Sequence, residues 1–143
     1  MKGFHIMVRE LVHDPILLAK KSAEAGVQDL QDAVDLMDTL VFHKEECVGM
    51  AANMIGVYKK IIVFLDGDTY RTMFNPEIIR AQDPFEGEEG CLSLQGGPRK
   101  VKRFQKIKVR YQNEKMQVRL QSFNGFTAQI IQHEVDHCNG ILI

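Results

Sequence analysis

The sequence predicts a protein of mixed helices and strands, and three observations carry that reading. Apolar residues recur at helical spacing from Val27 to Val41. From Lys106 to Tyr111, bases alternate with apolar residues as on a half-buried strand. Near its end the chain carries His133-Glu134-Val135-Asp136-His137. On a helix, His133 and His137 lie one turn apart on one face, with roughly 5–6 Å between their Cβ atoms, so both imidazoles can reach one metal ion. Glu134 sits about 100° round the helix from His133. It is close enough to take a proton from metal-bound water without being a ligand. A surface helix with incidental histidines and acids is the plainer alternative. The full H-E-x-x-H pattern, following apolar positions suited to a buried helix, outweighs it.

The 143 residues are most simply one domain, 1–143, with one core. Hydrophobic residues make up 45% and charged residues 26%, and the formal net charge is -1. That balance argues against DNA or a membrane surface as the partner. Met1 to Arg9 holds no apolar run long enough for a signal peptide, and no stretch approaches a membrane span. Cys47, Cys91 and Cys138 are an odd set without a secretion signal, which argues against a disulfide scaffold and for a reducing cytoplasm.

Taken in order, Asp14-Pro15 starts a short helix through Ile16, Leu17 and Leu18. The helix from Val27 to Val41 carries a stripe of Val27, Leu30, Val34, Met37 and Val41, broadened by Ala33, Leu36 and Leu40. Its intervening acids mostly face water, and it lies across one side of a sheet. In Glu46 to Val57, Gly49 followed by Ala51 and Ala52 suggests backbone packed closely against another element or a ligand. Ile61 to Leu65 reads as a buried strand ended by the turn Asp66-Gly67-Asp68. Tyr70 to Ile79 is extended and broken at Asn75-Pro76.

An acidic loop, Asp83 to Gly90, leads into Cys91-Leu92-Ser93-Leu94. A lone cysteine is usually a small core residue. Beside a glycine in a loop, Cys91 is also the best available third ligand, because a catalytic site generally has three protein ligands and one open position. The bases of Arg99 to Arg110 read more simply as the solvated face of a strand than as an RNA site. Gln112-Asn113-Glu114 forms a hairpin turn into a second alternating segment, with Met116, Val118 and Leu120. Asn124 caps the final helix, where Phe126, Ile130, His133 and His137 share a face.

Three stretches together resemble the signatures of the peptide deformylase family. Glu89-Gly90-Cys91-Leu92-Ser93 matches Glu-Gly-Cys-Leu-Ser in full, and His133 to His137 matches His-Glu-x-Asp-His. Cys47-Val48-Gly49-Met50-Ala51-Ala52-Asn53-Met54 partly matches Gly-x-Gly-x-Ala-Ala-x-Gln. The order and separations agree, from about His13 to the end of the chain. The resemblance implies an α+β fold with antiparallel strands packed around a central C-terminal helix that carries the histidines. It implies one divalent metal on Cys91, His133 and His137, iron(II) by preference with zinc or nickel possible, and water in the fourth position. The implied reaction removes the N-formyl group from formyl-methionine of nascent polypeptides. Glu134 would serve as acid and base, the Leu92 N–H as an oxyanion donor and the Gly49 backbone as the guide for the peptide. The partners implied are the formyl-methionyl peptide and, transiently, the ribosome.

Two positions depart from the family pattern. Cys47 replaces the first motif glycine, and Met54 stands where the oxyanion glutamine would be, with a thioether that cannot donate a hydrogen bond. Asn53 does not substitute for it, since a neighbour on extended backbone points to the opposite face. These departures favour one alternative, a weakly catalytic paralogue that binds metal and peptide. A zinc peptidase is the other. It is the poorer fit, because no His, Asp or Glu follows His137 to supply a downstream ligand.

Overall fold

A computed structural model describes residues 6–94 and 96–143. The stretch read for a targeting segment therefore lies partly outside the described residues, at 1–5. Asp14 accepts a hydrogen bond from Ile16 N at 2.9 Å and so caps the short helix α1, Pro15–Leu18. A 310 turn, Val27–Asp29, leads into α2, Leu30–Phe42. Then come β1 (Gly49–Ala51), a second 310 turn at Ala52–Ile55, β2 (Ile61–Asp66), β3 (Thr69–Glu89), β4 (Arg99–Gln112), β5 (Val118–Asn124) and α3 (Gly125–Cys138). The strands form one antiparallel sheet in chain order, β1-β2-β3-β4-β5.

The uninterrupted apolar run of β2 reflects burial on both sheet faces. Ile61 and Val63 join Leu36, Leu40 and Phe74 on the face that α1 and α2 cover. Ile62 and Phe64 join Ile107, Val109 and Ile131 on the face that α3 covers. This is the α+β arrangement expected, with α3 packed against one face of the sheet. No helix among the described residues is long and apolar enough to cross a membrane.

Several boundaries and faces differ from expectation. Asn75-Pro76 bends β3 without ending it. Asn75 takes a left-handed φ of 53° at a register shift, and its side chain bonds Ala25 N at 2.7 Å, Ala25 O at 2.9 Å and Gln112 Oε1 at 2.7 Å. The segment read as an acidic loop is the second half of β3. Glu86 stands opposite Lys102 and Glu88 opposite Lys100, and such pairing of acids with bases favours the ladder. The hairpin turn after β4 runs over Asn113 to Gln117, held by Asn113 Oδ1 accepting from Lys115 N and Gln117 N. β5 consequently starts at Val118, and Val118 and Leu120 are exposed.

The largest correction is to α2, whose inward face is Ala33, Leu36 and Leu40. Val27, Val34 and Val41 are 65%, 50% and 40% exposed. The polar flank is covered by the incoming chain: Arg9 donates to Asp32 at 2.7 Å and to Asp35 at 2.9 and 3.1 Å. This buries Asp35, one of the acids expected to face water. Asn124 holds the N-cap position of α3, without the expected side-chain bond.

Candidate active site

Helix α3 is fixed against the sheet by its polar side chains as well as by its apolar ones. Gln132 donates from Nε2 to Phe104 O at 2.8 Å and accepts from Phe104 N at 2.9 Å, so one turn of α3 is pinned to β4. That setting buries His133, Glu134 and His137. The Nε2 atoms of His133 and His137 lie 3.1 Å apart. Cys91, in the connection between β3 and β4, completes the cluster, with the three ligand atoms within 4.8 Å of one another. The connection is itself anchored, since Leu94 N donates to Cys91 O at 3.2 Å and His13 Nδ1 lies 2.9 Å from Ser93 O.

Around this cluster runs a chain of ion pairs that the sequence did not announce. Glu89 accepts a forked pair of bonds from Arg103, Nε at 2.9 Å and Nη2 at 2.7 Å, and a third bond from Gln129 at 2.9 Å. Arg103 also donates to Asp136 at 2.7 Å. Burial alone would raise the Glu89 carboxyl. Bonds from His133, Arg103 and Gln129 overrule it and bring the pKa down to about 2. Glu89 is therefore an acceptor only. At 2.8 Å it accepts a hydrogen bond from His133 Nδ1, which orients the ring and leaves Nε2 facing His137.

The two imidazoles respond oppositely to their surroundings. Burial would lower His133, but its bonds to Cys91 and Glu89 raise it to about 10. Burial and the neighbouring His133 charge lower His137 to about 3. Two nitrogens and one sulfur converging on one point, with a carboxylate orienting an imidazole behind them, fit a divalent metal of the zinc or iron(II) kind.

Cys91 and His133 line a cleft of about 480 Å³ whose wall also includes Gly49, Leu92, Phe126, Ile130 and Glu134, with His137 buried behind them. Glu134 is buried and its Oε1 has no hydrogen-bond partner among the described residues. Burial raises its carboxyl to about 7. Gly49 meets it closely: a Cβ there would lie 2.9 Å from Glu134 Oε2 and 2.8 Å from Ile130 Cγ2. The close approach expected around Gly49 is thus to the helix bearing Glu134.

Met54 is buried and also lines the cleft. Asn53 is tied elsewhere, its Nδ2 donating to His137 O at 2.9 Å and Leu18 O at 3.2 Å. The reason expected for that was different, because residues 52–55 are a 310 turn and not extended backbone. Cys47 donates its S–H to Gly49 O at 2.9 Å. Burial, then the charge of Glu134, pushes this thiol up to about 12, so the proton stays on.

Sequence reasoning missed Arg103 and Gln129, and gave Glu89 and Asp136 places in motifs but no task. Arg103 belongs to the run of bases that the sequence assigns to a solvated strand face, and the structure buries it. The available signal was its position before the Lys106 alternation begins, where the strand pattern does not require an outward base.

The polypeptide deformylase family profile matches residues 9–143. The chain is 50% identical over 137 residues to the peptide deformylase of Clostridium beijerinckii, covering 96% of this chain and 100% of that one. It is 38% identical to that of Halothermothrix orenii, covering 92% and 86%. Among solved structures, peptide deformylase from Thermus thermophilus superposes with a TM-score of 0.85 at 31% identity, over 95% of this chain and 83% of that chain. Class I type b peptide deformylase from Acinetobacter baumannii, bound to Met-Ala-Ser, gives 0.86 at 29%, over 96% and 97%.

Proposed function

The chain belongs to the peptide deformylase family, and we propose that its cleft hydrolyses the N-formyl group of formyl-methionyl polypeptides, releasing formate. Cys91, His133 and His137 would hold one divalent metal ion, iron(II) in the cell, with zinc or nickel able to replace it. A divalent cation there acidifies a bound water and polarises a carbonyl.

The chain's own groups supply the rest. Glu134, raised to about 7 by burial, both accepts and returns a proton near neutrality, first from the attacking water and then to the leaving amine. Gly49 lies on β1, the edge of the sheet, and aligns the peptide through main-chain hydrogen bonds in the manner of an added strand. The Leu92 N–H, next to Cys91, donates to the developing oxyanion. Met54 occupies the second donor's position. On this reading residues 1–143 act as one domain in the cytoplasm, in transient contact with the ribosome that presents the substrate.

The observation that carries the proposal is the convergence of two imidazoles and a thiol beside a buried, unpartnered carboxyl. The Met-Ala-Ser bound to the Acinetobacter baumannii relative is the deformylated form of the peptide this reading requires. The test is formate release from formyl-Met-Ala-Ser by protein loaded anaerobically with iron(II), beside Glu134→Gln. The variant should keep one metal per chain and lose nearly all hydrolysis, since an amide is too weak a base. No formate above that control would sink the proposal, and loss of metal from Glu134→Gln would make Glu134 a ligand instead.

A further inference from the structure

The two imidazoles of the cluster are held by different means. The ring of His133 is held directly, because Glu89 accepts from its Nδ1 at 2.8 Å. The ring of His137 lacks such a bond: its Nδ1 is buried and has no hydrogen-bond partner among the described residues. Its placing therefore depends on the backbone that carries it. His137 lies in the last turn of α3, where carbonyls have no helical donor and need one from elsewhere. Two donors reach the His137 carbonyl among the described residues, Gly140 N at 3.0 Å and Asn53 Nδ2 at 2.9 Å. Gly140 follows in the same turn and travels with the helix. Asn53 comes from outside it.

Asn53 is well placed to fix that end. It is buried, and its amide also donates to Leu18 O at 3.2 Å, the last residue of α1. Both partners are carbonyl oxygens, so the amide nitrogen has to face them; a flipped amide would set oxygen against oxygen. The backbone of its 310 turn is anchored in turn, with Gly56 N donating to Asn53 O at 3.1 Å and Val12 N to Met54 O at 2.8 Å. We infer that Asn53 is a positioning residue of the metal site: its amide sets the end of α3, and so the point from which His137 reaches toward Cys91 and His133. The inference rests on the reading of that cluster as a metal site and adds to it a residue that is not a ligand. Outer partners of this kind typically change metal affinity about 10- to 100-fold.

The test is titration of the full chain with cobalt(II), followed by its thiolate-to-metal and d–d absorption, in wild type, Asn53→Leu and Asn53→Ser. Leucine is close to asparagine in size and cannot donate, whereas serine keeps a shorter donor. Arg9→Ala, which removes the bonds to Asp32 and Asp35 on α2, controls for lost stability. Asn53→Leu should raise Kd about 10-fold or more and alter the d–d bands, with Asn53→Ser between it and wild type. Arg9→Ala should leave both readings unchanged. Wild-type Kd and spectrum in Asn53→Leu would overturn the inference, as would the same result in Asn53→Ser should the leucine variant fail to fold. Metal affinity is read in place of turnover because Met54, in the same turn, lines the cleft. Formate release by wild type tests the deformylase reading separately. Cobalt(II) binding that survives Cys91→Ala would take the metal away from this cluster, and the inference with it. Equal binding by wild type and the Asn53 variants would sink the inference alone.

Discussion

Met54 stands where the deformylase motif has glutamine. Its side chain is buried yet lines the cleft, and a thioether has no proton to offer a developing oxyanion. A donor that strengthens only in the transition state affects turnover more than substrate binding. Met54→Gln should therefore raise kcat by about 10-fold or more, a cautious share of the usual oxyanion-donor effect, with KM little changed. Steady-state kinetics on formyl-Met-Ala-Ser decide it. An unchanged kcat would mean that Met54 is core packing and that another group donates. The neighbouring departure, Cys47, has a local account: its retained proton holds the Gly49 carbonyl.

At the scale of elements, the site depends on how closely β1 and α3 approach and on what locks α3 to β3 and β4. Gly49→Ala would put a methyl 2.8 Å from Ile130 and 2.9 Å from the Glu134 carboxylate. A shift of Glu134 on the ångström scale costs about 10²-fold in rate, and that loss in kcat/KM is the expected outcome, with far-UV circular dichroism unchanged. Full activity in Gly49→Ala would show that α3 yields freely. Arg103 joins the same layers through Glu89 and Asp136. Arg103→Ala leaves the buried Glu89 carboxylate without its cation, a change expected to cost about 3–5 kcal/mol in urea unfolding. It should also weaken metal binding about 10- to 100-fold, because Glu89 orients His133. A variant as stable as wild type would reduce this network to surface decoration.

For the whole molecule, the groups proposed to hold the metal come from two places far apart in sequence, Cys91 between β3 and β4 and the two histidines on α3. A cation bound there would tie the connection between β3 and β4 to helix α3. Binding only the folded state stabilises it by about 2.7 kcal/mol at a hundredfold excess over Kd, so chelation should lower Tm by about 5–10 °C. Restoring iron(II) or zinc should restore it. Cys91→Ala and His133→Ala should bind less than one metal per chain and lose the chelator response. Retained metal in both variants would place the ligands elsewhere.

The residues that converge in the candidate site are written in local patterns of the sequence. An i, i+4 histidine pair, the acid beside it and a glycine-flanked cysteine are local patterns, and local backbone geometry suffices to interpret them. Legible in the same way are α1 from its Asp14-Pro15 start and, from their residue patterns, β2, the second half of β4 and α3. Which side of α2 lies inward depends on contacts distant in sequence. Apolar residues surround much of that helix, and the choice was made by Arg9 arriving from outside it to cover Asp32 and Asp35. Tertiary structure likewise turned an apparent acidic loop into the second half of β3, because the opposing lysines of β4 compensate its charges. It also took Arg103 from the surface and buried it between Glu89 and Asp136. Each of these outcomes depends on a partner distant in sequence, and no pattern within a single segment encodes the identity of such a partner.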